Sequence, residues 1–363
     1  MKKRGILFFA DRLPPLSGGM EMHGGYFIDY FKDHLQFPLL DVVSKDKDGR
    51  DTLVFKETGE AINYHHFNPE IVFFNSGRWI EELEEIRNQF PNALFLYRTG
   101  GNEILKAPLV KNHILDHFLR QRYWVKVLNQ SIDVLITNSV YTESRLRDLG
   151  ITCSFFRSVG GVNSEALKSV KKKVSSPLRI FSAARFVPYK NHKLFLRIIK
   201  ELVKLGFSLN VRLAGDGPLL DEVKAFAQEI NLLGSVTFLG VLNNQKTCQE
   251  IANADVYMQL SGDVLTSVPG GRYIHSEGMG RSILEALTAG TFVIAGNSGA
   301  LPEIVKGDKG ILVDLFPEEQ IVKVIAQTLQ NLPSKGEFDP TYCWSHIFAQ
   351  YKDLFRRESA SCN

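Results

Sequence analysis

The stretch 273–303 constrains the fold of this chain more than any other part of it. It contains two glutamates, Glu277 and Glu285, eight positions apart. Between them lies the small turn 278–280, with the sequence Gly-Met-Gly. Glycines at such a turn allow the backbone to pass close to a ligand. The pattern therefore predicts a carboxylate on each side of a turn that can approach a bound molecule.

The second half of this stretch predicts a helix followed by a strand. Ser282 with Glu285 three residues later is typical of a capping box, which predicts Ser282 as the N-cap. Ala289-Gly290 predicts the helix end, and 291–295 a buried strand. Free amides at a helix start favour an anion. Taken alone, however, Glu285 could merely complete the capping box and Glu277 could merely be solvated.

Composition indicates an ordinary globular protein of about two domains. The chain has 363 residues, of which 44% are hydrophobic and 23% charged. Its net charge of +3 is too small to indicate a nucleic-acid partner. No apolar run approaches the ~20 residues of a membrane span, and the start lacks the features of a signal peptide. Scattered cysteines predict reduced thiols in a cytoplasmic protein: Cys153, Cys248, Cys343 and Cys362.

The whole run from Glu277 resembles the glutamate–seven–glutamate motif of retaining GT-B glycosyltransferases of family 4. That family shows E-G-x-G, then E-A-x-x-x-G, a strand, G-G-x-P-E-I-V and a late glycine. Here the matching segments are 277–280, 285–290, 298–305 and Gly310. The resemblance covers nearly the whole chain, and it is strongest from Leu178 to Val313.

This resemblance implies the fold and its division. It implies two Rossmann-like α/β domains that face a cleft, with a C-terminal helix that returns to the first domain. The acceptor domain is expected at 1–165 together with the helix 343–363. The nucleotide-sugar donor domain is expected at 166–342, after a polar linker at 163–177.

The resemblance also implies roles for individual residues. The family pattern R-x-x-x-x-K-G falls on Arg185 and Lys190, with Asn191 in place of the glycine. The two cations would hold the departing diphosphate, and Glu277 would bind hydroxyls of the donor sugar close to the reacting carbon. The other expected donor contacts are Gly18, Gly19, Val241, Gly280, Arg281, Ser282 and Glu285. Glu285 would bind the ribose hydroxyls, and the amides from Gly280 to Ser282 the diphosphate.

A polar segment after the strand 93–98 indicates an acceptor site. Arg98, Asn102 and Glu103 follow the carboxyl end of a strand, where open α/β sheets bind ligands. A loop held by salt bridges would show the same residues. The sequence does not decide between the two.

Three further segments allow more than one interpretation. The insertion 261–275 is rich in Gly, Ser and Pro, which favours a mobile lid over a packed element. As a lid it would govern the choice of acceptor or donor sugar more than folding, and the alternative is a surface excursion without a role. Asp46 and Asp48 match a D-x-D metal motif, but a solvated turn is the expected structure. Basic residues interleave with apolar ones over 110–128, as in a helix on an anionic membrane or an ordinary helix with a solvated basic face.

The expected activity is transfer of a sugar from a UDP- or GDP-sugar to an acceptor hydroxyl, with retention. The expected setting is the synthesis of bacterial-type cell-surface polysaccharide, lipopolysaccharide or glycolipid. The resemblance implies no metal and no cofactor, and a carbohydrate or lipid-linked acceptor. The alternatives are a GT-B sugar-nucleotide epimerase, a non-catalytic nucleotide-sugar binding protein, and a dinucleotide oxidoreductase. The last would need G-x-G-x-x-G and a downstream acid, neither of which is in place.

Overall fold

A computed structural model describes residues 5–10, 13, 19–44, 67–75, 77–107, 116–168, 173–334 and 336–361. The chain divides into two compact units. The first comprises Met1–Gly160, Thr266–Tyr273 and Trp344–Asn363, and the second Gly161–Leu265 and Ile274–Cys343. The segment Thr266–Tyr273, which the sequence analysis assigned to the donor domain, therefore packs with the first unit.

The first unit is built on a six-stranded parallel sheet with the order β2-β1-β3-β4-β5-β6. Strands β1, β3 and β4 are buried at every position, as expected for the middle of a sheet covered on both faces. The strands are β1 Ile6–Ala10, β2 Leu39–Ser44, β3 Ile71–Asn75, β4 Leu94–Arg98, β5 Val134–Thr137 and β6 Ser154–Arg157. The described α-helices of this unit before Gly160 are α1 Gly19–Phe31, α2 Leu83–Gln89, α3 Asn102–Lys106, α4 His117–Ser131 and α5 Val140–Asp148.

The C-terminal helix α12, Trp344–Ser361, covers one face of this sheet beside α1. Aromatic rings fill the contact: Trp344 stacks on Tyr26 at 5.2 Å, and Tyr351 lies 6.3 Å from Phe27. Such pairs add to the free energy gained from area burial alone. The expected return of the last helix to the first domain is confirmed.

The second unit contains another six-stranded parallel sheet, with the order β14-β13-β10-β7-β8-β9. Its strands are β7 Leu178–Ala183, β8 Leu209–Ala214, β9 Val236–Gly240, β10 Val256–Gln259, β13 Phe292–Gly296 and β14 Gly310–Val313. Its helices are α6 His192–Lys204, α7 Leu220–Glu229, α8 Asn244–Asn253, α9 Arg281–Thr288, α10 Leu301–Ile304 and α11 Glu318–Gln330. Both units are thus Rossmann-like, as predicted.

The order of the second sheet creates a switch point between β7 and β10. The chain runs outward from β7 through β8 to β9, and then returns to the opposite side of β7 to form β10. The connections that leave β7 and β10 therefore diverge, and a crevice opens at the carboxyl ends of these strands. Open α/β sheets bind ligands at this position.

The insertion 261–275 forms a hairpin that packs against its neighbours, whereas the sequence analysis favoured a lid over a packed element. Strands β11, Val264–Val268, and β12, Gly271–His275, pair with each other. The hairpin tip packs against α4: the amide of His117 donates to the carbonyl of Gly270 at 3.3 Å, and Arg120 Nη2 donates to that of Pro269 at 2.6 Å. Gly271 leaves room for the His117 side chain, because a Cβ at position 271 would lie 2.5 Å from His117 Cβ and 2.8 Å from its Nδ1.

Helix α4 also differs from the expected amphipathic pattern. Its described part begins at His117, so most of the stretch 110–116 lies outside the described residues. Phe118 is 62% exposed, although the spacing placed it on the apolar face. Arg120, expected on the basic face, is buried. The reason is that its guanidinium satisfies backbone carbonyls, which the helical period cannot reveal. Among the described helices, none is long and apolar enough to span a membrane.

Candidate active site

The second unit collects polar side chains at its switch point. Lys190 lies in the 3-10 turn Pro188–Lys190 that follows β7. Gln259 ends β10, and Ser261 follows two residues later. Glu277 lies between β12 and α9. The carboxyl ends of two neighbouring strands and the start of one helix thus supply a single cluster.

Glu277 is the centre of this cluster. Its Oε2 accepts a hydrogen bond from Lys190 Nζ in an ion pair whose two side chains are only 12% and 9% exposed. Gln259 Nε2 and Ser261 Oγ each donate to the same oxygen at 3.2 Å. Three donors therefore fix the position of one carboxylate oxygen.

A buried tyrosine links this carboxylate to helix α9. Tyr257 precedes Gln259 by two positions, so both side chains lie on the same face of β10. The Tyr257 hydroxyl lies 3.1 Å from Gln259 Oε1 and 2.6 Å from Ser282 Oγ. Burial raises the pKa of Tyr257, so the phenol stays protonated and can donate. The chain of contacts runs from Ser282 through Tyr257 and Gln259 to Glu277.

Ser282 does not cap helix α9, which corrects the capping-box prediction. The N-cap is Gly280, with φ at 73° and ψ at 73°, and no side chain caps the helix by a hydrogen bond. Ser282 Oγ instead donates to the carbonyl of Ala183 at 3.1 Å, at the end of β7. Ser282 therefore bonds to a distant strand instead of to the backbone of its own helix, which the spacing predicted.

The start of α9 leaves backbone amides for a ligand. The first backbone hydrogen bonds of the helix are donated by Ile283 and Leu284, both to the carbonyl of Gly280. The amides of Gly280, Arg281 and Ser282 precede them and are not used by the helix itself. Gly280 permits this geometry because its positive φ is strained for residues with a Cβ. This end of α9 can therefore bind an anion.

Glu285 lies one turn into α9 and is only 2% exposed. Its Oε1 accepts from Asn244 Nδ2 at 3.1 Å and lies 3.5 Å from Arg281 Nε. Burial raises the pKa of Glu285, and Arg281 and Asn244 oppose that rise. Arg281, at a position that is usually apolar in the resembled family, therefore serves as the cation beside this carboxylate.

Asn191 explains the departure from the R-x-x-x-x-K-G pattern. Its φ of 52° and ψ of 38° are left-handed, the conformation that a glycine would adopt without strain. Asparagine tolerates this region better than most residues. Its Nδ2 also donates to the carbonyl of Leu260 at 3.0 Å, beside Ser261. Asn191 thus keeps the turn that presents Lys190 and ties it to the end of β10.

The other predicted donor residues are more open. Arg185 is exposed in the loop after β7. Val241 is 69% exposed immediately after β9. Gly19 begins α1 of the first unit with open space around it, and Gly18 lies outside the described residues. The structure thus brings Lys190, Glu277 and Ser282 into one network. Glu285 is held separately by Asn244 and Arg281, and Arg185 is exposed.

The predicted acceptor residues lie in the first unit after β4. Glu103 Oε1 folds back on its own loop, where it accepts from Thr99 Oγ1 at 2.5 Å and the amide of Gly100 at 3.0 Å. Asn102 begins the short helix α3. Arg98 is buried, and its Nη1 lies 2.8 Å from Met20 Sδ. Within the described residues Arg98 has no carboxylate partner.

Sequence reasoning missed Tyr257, Gln259 and Asn244. The available signal was the alternation on β10, which places the side chains of Tyr257 and Gln259 on one face of a fully buried strand. Asn244 belongs to α8, which only the fold brings beside Glu285. The described residues contain no group of three His, Cys, Asp or Glu side chains arranged to hold a metal, and Asp46 and Asp48 lie outside them.

Comparison with known proteins gives this cluster a context. Residues 163–338 match the family model of glycosyl transferases group 1. The matched segment covers most of the second unit. It includes Lys190, Glu277 and Glu285, and it spans both sides of the switch point.

Curated relatives of this chain match it over part of their length. A GDP-mannose-dependent alpha-(1-6)-phosphatidylinositol monomannoside mannosyltransferase of Mycobacterium tuberculosis is 25% identical over 255 residues, which cover 64% of this chain and 64% of that protein. An alpha-monoglucosyldiacylglycerol synthase of Streptococcus pneumoniae is 26% identical over 208 residues, 56% of this chain and 44% of the synthase. The chain therefore spans less than two thirds of the length of these relatives.

Solved structures extend the similarity of fold to the whole chain. The structure of HepE of Anabaena, crystallised with UDP, aligns over 97% of this chain and 100% of HepE. The TM-score is 0.70 and the sequence identity is 16%. Sucrose-phosphate synthase of Thermosynechococcus elongatus covers 99%, also with a TM-score of 0.70, and is 15% identical. At this identity the likeness concerns the fold, which is GT-B, as predicted.

Proposed function

We propose that this chain transfers a sugar from a nucleotide sugar to an acceptor hydroxyl, with retention of the anomeric configuration. The observation that carries the proposal is the ion pair of Lys190 and Glu277 at the switch point between β7 and β10. A cation suits the diphosphate of such a donor, and a carboxylate suits its sugar hydroxyls. The group 1 domain and its glycosyltransferase relatives support this function.

The chemistry required of the second unit is to stabilise a departing nucleoside diphosphate. The bond between the anomeric carbon and the phosphate oxygen breaks, and negative charge grows on the diphosphate. Lys190 and Arg185 supply positive charge, and the amides of Gly280, Arg281 and Ser282 supply hydrogen bonds. Preorganised donors of this kind provide a large share of catalysis where charge develops. The acceptor oxygen forms the new bond, and its proton passes to the leaving phosphate.

Glu277 holds the sugar in this scheme. When the donor binds, Lys190 exchanges its carboxylate partner for a phosphate oxygen. Gln259 and Ser261 remain on Glu277 Oε2 and keep the carboxylate oriented toward sugar hydroxyls. Glu285 binds the ribose hydroxyls, and Asn244 and Arg281 hold its carboxylate in place. The turn at Val241 supports the nucleobase.

We propose a UDP- or GDP-sugar as donor and a carbohydrate or lipid-linked acceptor that binds the first unit near Arg98, Asn102 and Glu103. The relatives named for phosphatidylinositol mannoside and glucosyldiacylglycerol support a glycolipid or cell-surface polysaccharide product. We place the enzyme in the cytoplasm, with peripheral contact to an anionic membrane, and without a metal requirement. The free thiols of Cys153, Cys248 and Cys343 support a reducing compartment.

The test is a scan of nucleotide sugars by thermal denaturation, followed by an assay for donor hydrolysis. A true donor at ~100 times its Kd stabilises the folded state by roughly 2.7 kcal/mol. Hydrolysis of the best donor releases a nucleoside diphosphate, which distinguishes a transferase from an epimerase. If no nucleotide sugar stabilises the chain, or the best one binds and is never cleaved even with acceptor mixtures, the proposal is wrong.

A further inference from the structure

Arg98 is a buried cation without a counterion among the described residues. Its side chain ends β4 in the first unit, and the residue is 8% exposed. Nη1 contacts the thioether of Met20 at 2.8 Å, and the buried Nε has no hydrogen-bond partner. No described carboxylate forms an ion pair with it. Thioether sulfur is a weak acceptor, so the guanidinium is poorly satisfied.

The neighbours of Arg98 are also rich in donors. The Tyr351 hydroxyl, which interacts with Arg98, lies 3.2 Å from His23 Nε2. Burial, together with the charge of Arg98, lowers the pKa of His23 well below its ordinary value, so the ring is neutral. When Nε2 accepts from Tyr351, Nδ1 carries the proton, and the Asn75 side chain is its polar neighbour. Among the described contacts of this cluster there is no negative charge.

A buried charge of this kind is costly unless something pairs with it. Native proteins rarely bury an arginine without a partner. Met20 lies in the first turn of α1, a helix of 13 residues, whose amino end favours an anion. The flexible Met20 side chain can rotate away from the guanidinium without displacing the backbone. Arginine binds phosphate with two parallel hydrogen bonds.

We propose that Arg98 binds a phosphate group of the acceptor, so that the acceptor of this enzyme is a phosphate-bearing molecule. The acceptor role rests on the proposed function, but the phosphate site in the first unit does not. The phosphate accepts from Arg98 in place of the Met20 sulfur. A soluble sugar phosphate and a phospholipid headgroup offer the same chemistry.

The experiment is a titration of the full chain with inorganic phosphate, followed by thermal denaturation, in a double-mutant cycle. The variants are Arg98→Met, Arg185→Ala and the two combined, because the diphosphate site of the second unit also binds anions. We expect Arg98→Met to weaken the phosphate response by about tenfold or more, the scale of a charge-assisted pair of hydrogen bonds. The effects of the two substitutions should add, since they act on separate sites. A wild-type phosphate response in Arg98→Met would overturn the proposal.

Stability without phosphate provides an independent readout. Arg98→Met should melt at the same or a higher temperature than wild type, because it removes an unpaired buried charge. Arg120→Met is the matched control: Arg120 is equally buried in the same unit, but its guanidinium donates to the carbonyls of Ala107 and Pro269. It should melt lower. If Arg98→Met melts lower by as much as Arg120→Met, or does not fold, Arg98 has a partner within the chain and the proposal fails.

Two further ligands separate the sources of the phosphate. Glycerol 3-phosphate that stabilises wild type but not Arg98→Met identifies a soluble phosphate ester. The second ligand is a phospholipid vesicle. If wild type cosediments with phosphatidylglycerol vesicles but not with phosphatidylcholine vesicles, and Arg98→Met cosediments less, the phosphate belongs to a lipid headgroup. If Arg98→Met instead weakens binding of a nucleoside diphosphate, the anion belongs to the donor and the proposal is overturned. None of these measurements requires transfer, so a failure here leaves donor hydrolysis, and with it the proposed function, separately testable.

Discussion

In the second unit the carboxylate of Glu277 receives hydrogen bonds from Lys190, Gln259 and Ser261 at the carboxyl ends of β7 and β10. In the first unit the guanidinium of Arg98 lies at the carboxyl end of β4 with a thioether as its nearest partner. Both sheets thus present charge where a parallel sheet binds ligands. The second unit neutralises that charge internally, whereas no described carboxylate of the first unit pairs with Arg98. A self-neutralised site must exchange partners when its ligand enters, whereas an unpaired one gains a partner that it lacked.

The largest effect should follow from removing the cations of the second unit. Arg185→Ala and Lys190→Ala should each lower turnover by ~10²-fold or more, the scale of one preorganised charge contact in a transition state. The measurement is turnover at saturating donor. Lys193→Ala is the control, because Lys193 lies on the next turn in an exposed pair with Glu222. Wild-type turnover in either of the first two variants would remove that residue from the site.

The next effect concerns the hairpin and its anchor in the first unit. Arg120→Met should lower the free energy of unfolding by about 2–3 kcal/mol, since a buried charged donor leaves two carbonyls without partners. Chemical denaturation measures it, with the exposed Arg122→Met as control. The variant should also increase proteolysis of the hairpin Val264–His275. Unchanged stability would restore the interpretation of this insertion as a mobile lid.

A smaller effect should follow from Gln259→Leu, which removes one donor from Glu277 and one contact of Tyr257 while preserving volume. We expect turnover to fall about tenfold, the effect of one hydrogen bond to a charged group. Affinity for the nucleoside diphosphate should be nearly unchanged, because Gln259 orients the carboxylate that faces the sugar. Exposed Gln228→Leu is the control. Equal loss of turnover and of diphosphate affinity would indicate that Gln259 supports the unit in general.

The comparison also shows which parts of the molecule the sequence can predict. Strands such as Ile71–Asn75 and the end of α9 at Gly290 follow from local signals, namely a buried apolar run and a glycine with positive φ. The order of the motifs correctly predicted two Rossmann-like units. These features depend on neighbours in sequence, so a single chain is enough to find them.

Contacts between distant segments were beyond the same reasoning. Ser282 satisfies the local pattern of a capping residue, yet it bonds to Ala183, which lies 99 positions away. Arg120 satisfies the pattern of an exposed basic residue, yet it reaches Pro269 across 149 positions. A hydroxyl or guanidinium can form hydrogen bonds with solvent, with nearby backbone or with distant backbone. The free energies of these hydrogen bonds differ little, so the partner is known only once the fold is known.

A further effect concerns the turn that presents Lys190. Asn191→Ala should destabilise the second unit by about 1–2 kcal/mol, because alanine is strained in the left-handed region and cannot bond to the Leu260 carbonyl. Asn191→Gly should cost less, since only the hydrogen bond is lost. Asn231→Ala is a matched control for the backbone, with a φ of 57° at an exposed position. If Asn191→Ala costs no more than Asn231→Ala, the amide contributes nothing to the turn.

The smallest effect should come from removing divalent metal. In the proposed mechanism Lys190, Arg185 and the amides at the start of α9 supply the charge that other transferases take from a metal–diphosphate complex. Turnover in excess chelator should therefore equal turnover in Mg²⁺ or Mn²⁺. The Lys190→Ala variant sharpens this test: added Mg²⁺ should rescue it in part, because a metal on the diphosphate replaces some of the missing charge. If wild-type activity vanishes in chelator and returns with metal, the cations of the second unit do not suffice to stabilise the diphosphate. A bound metal ion would then supply the remaining positive charge.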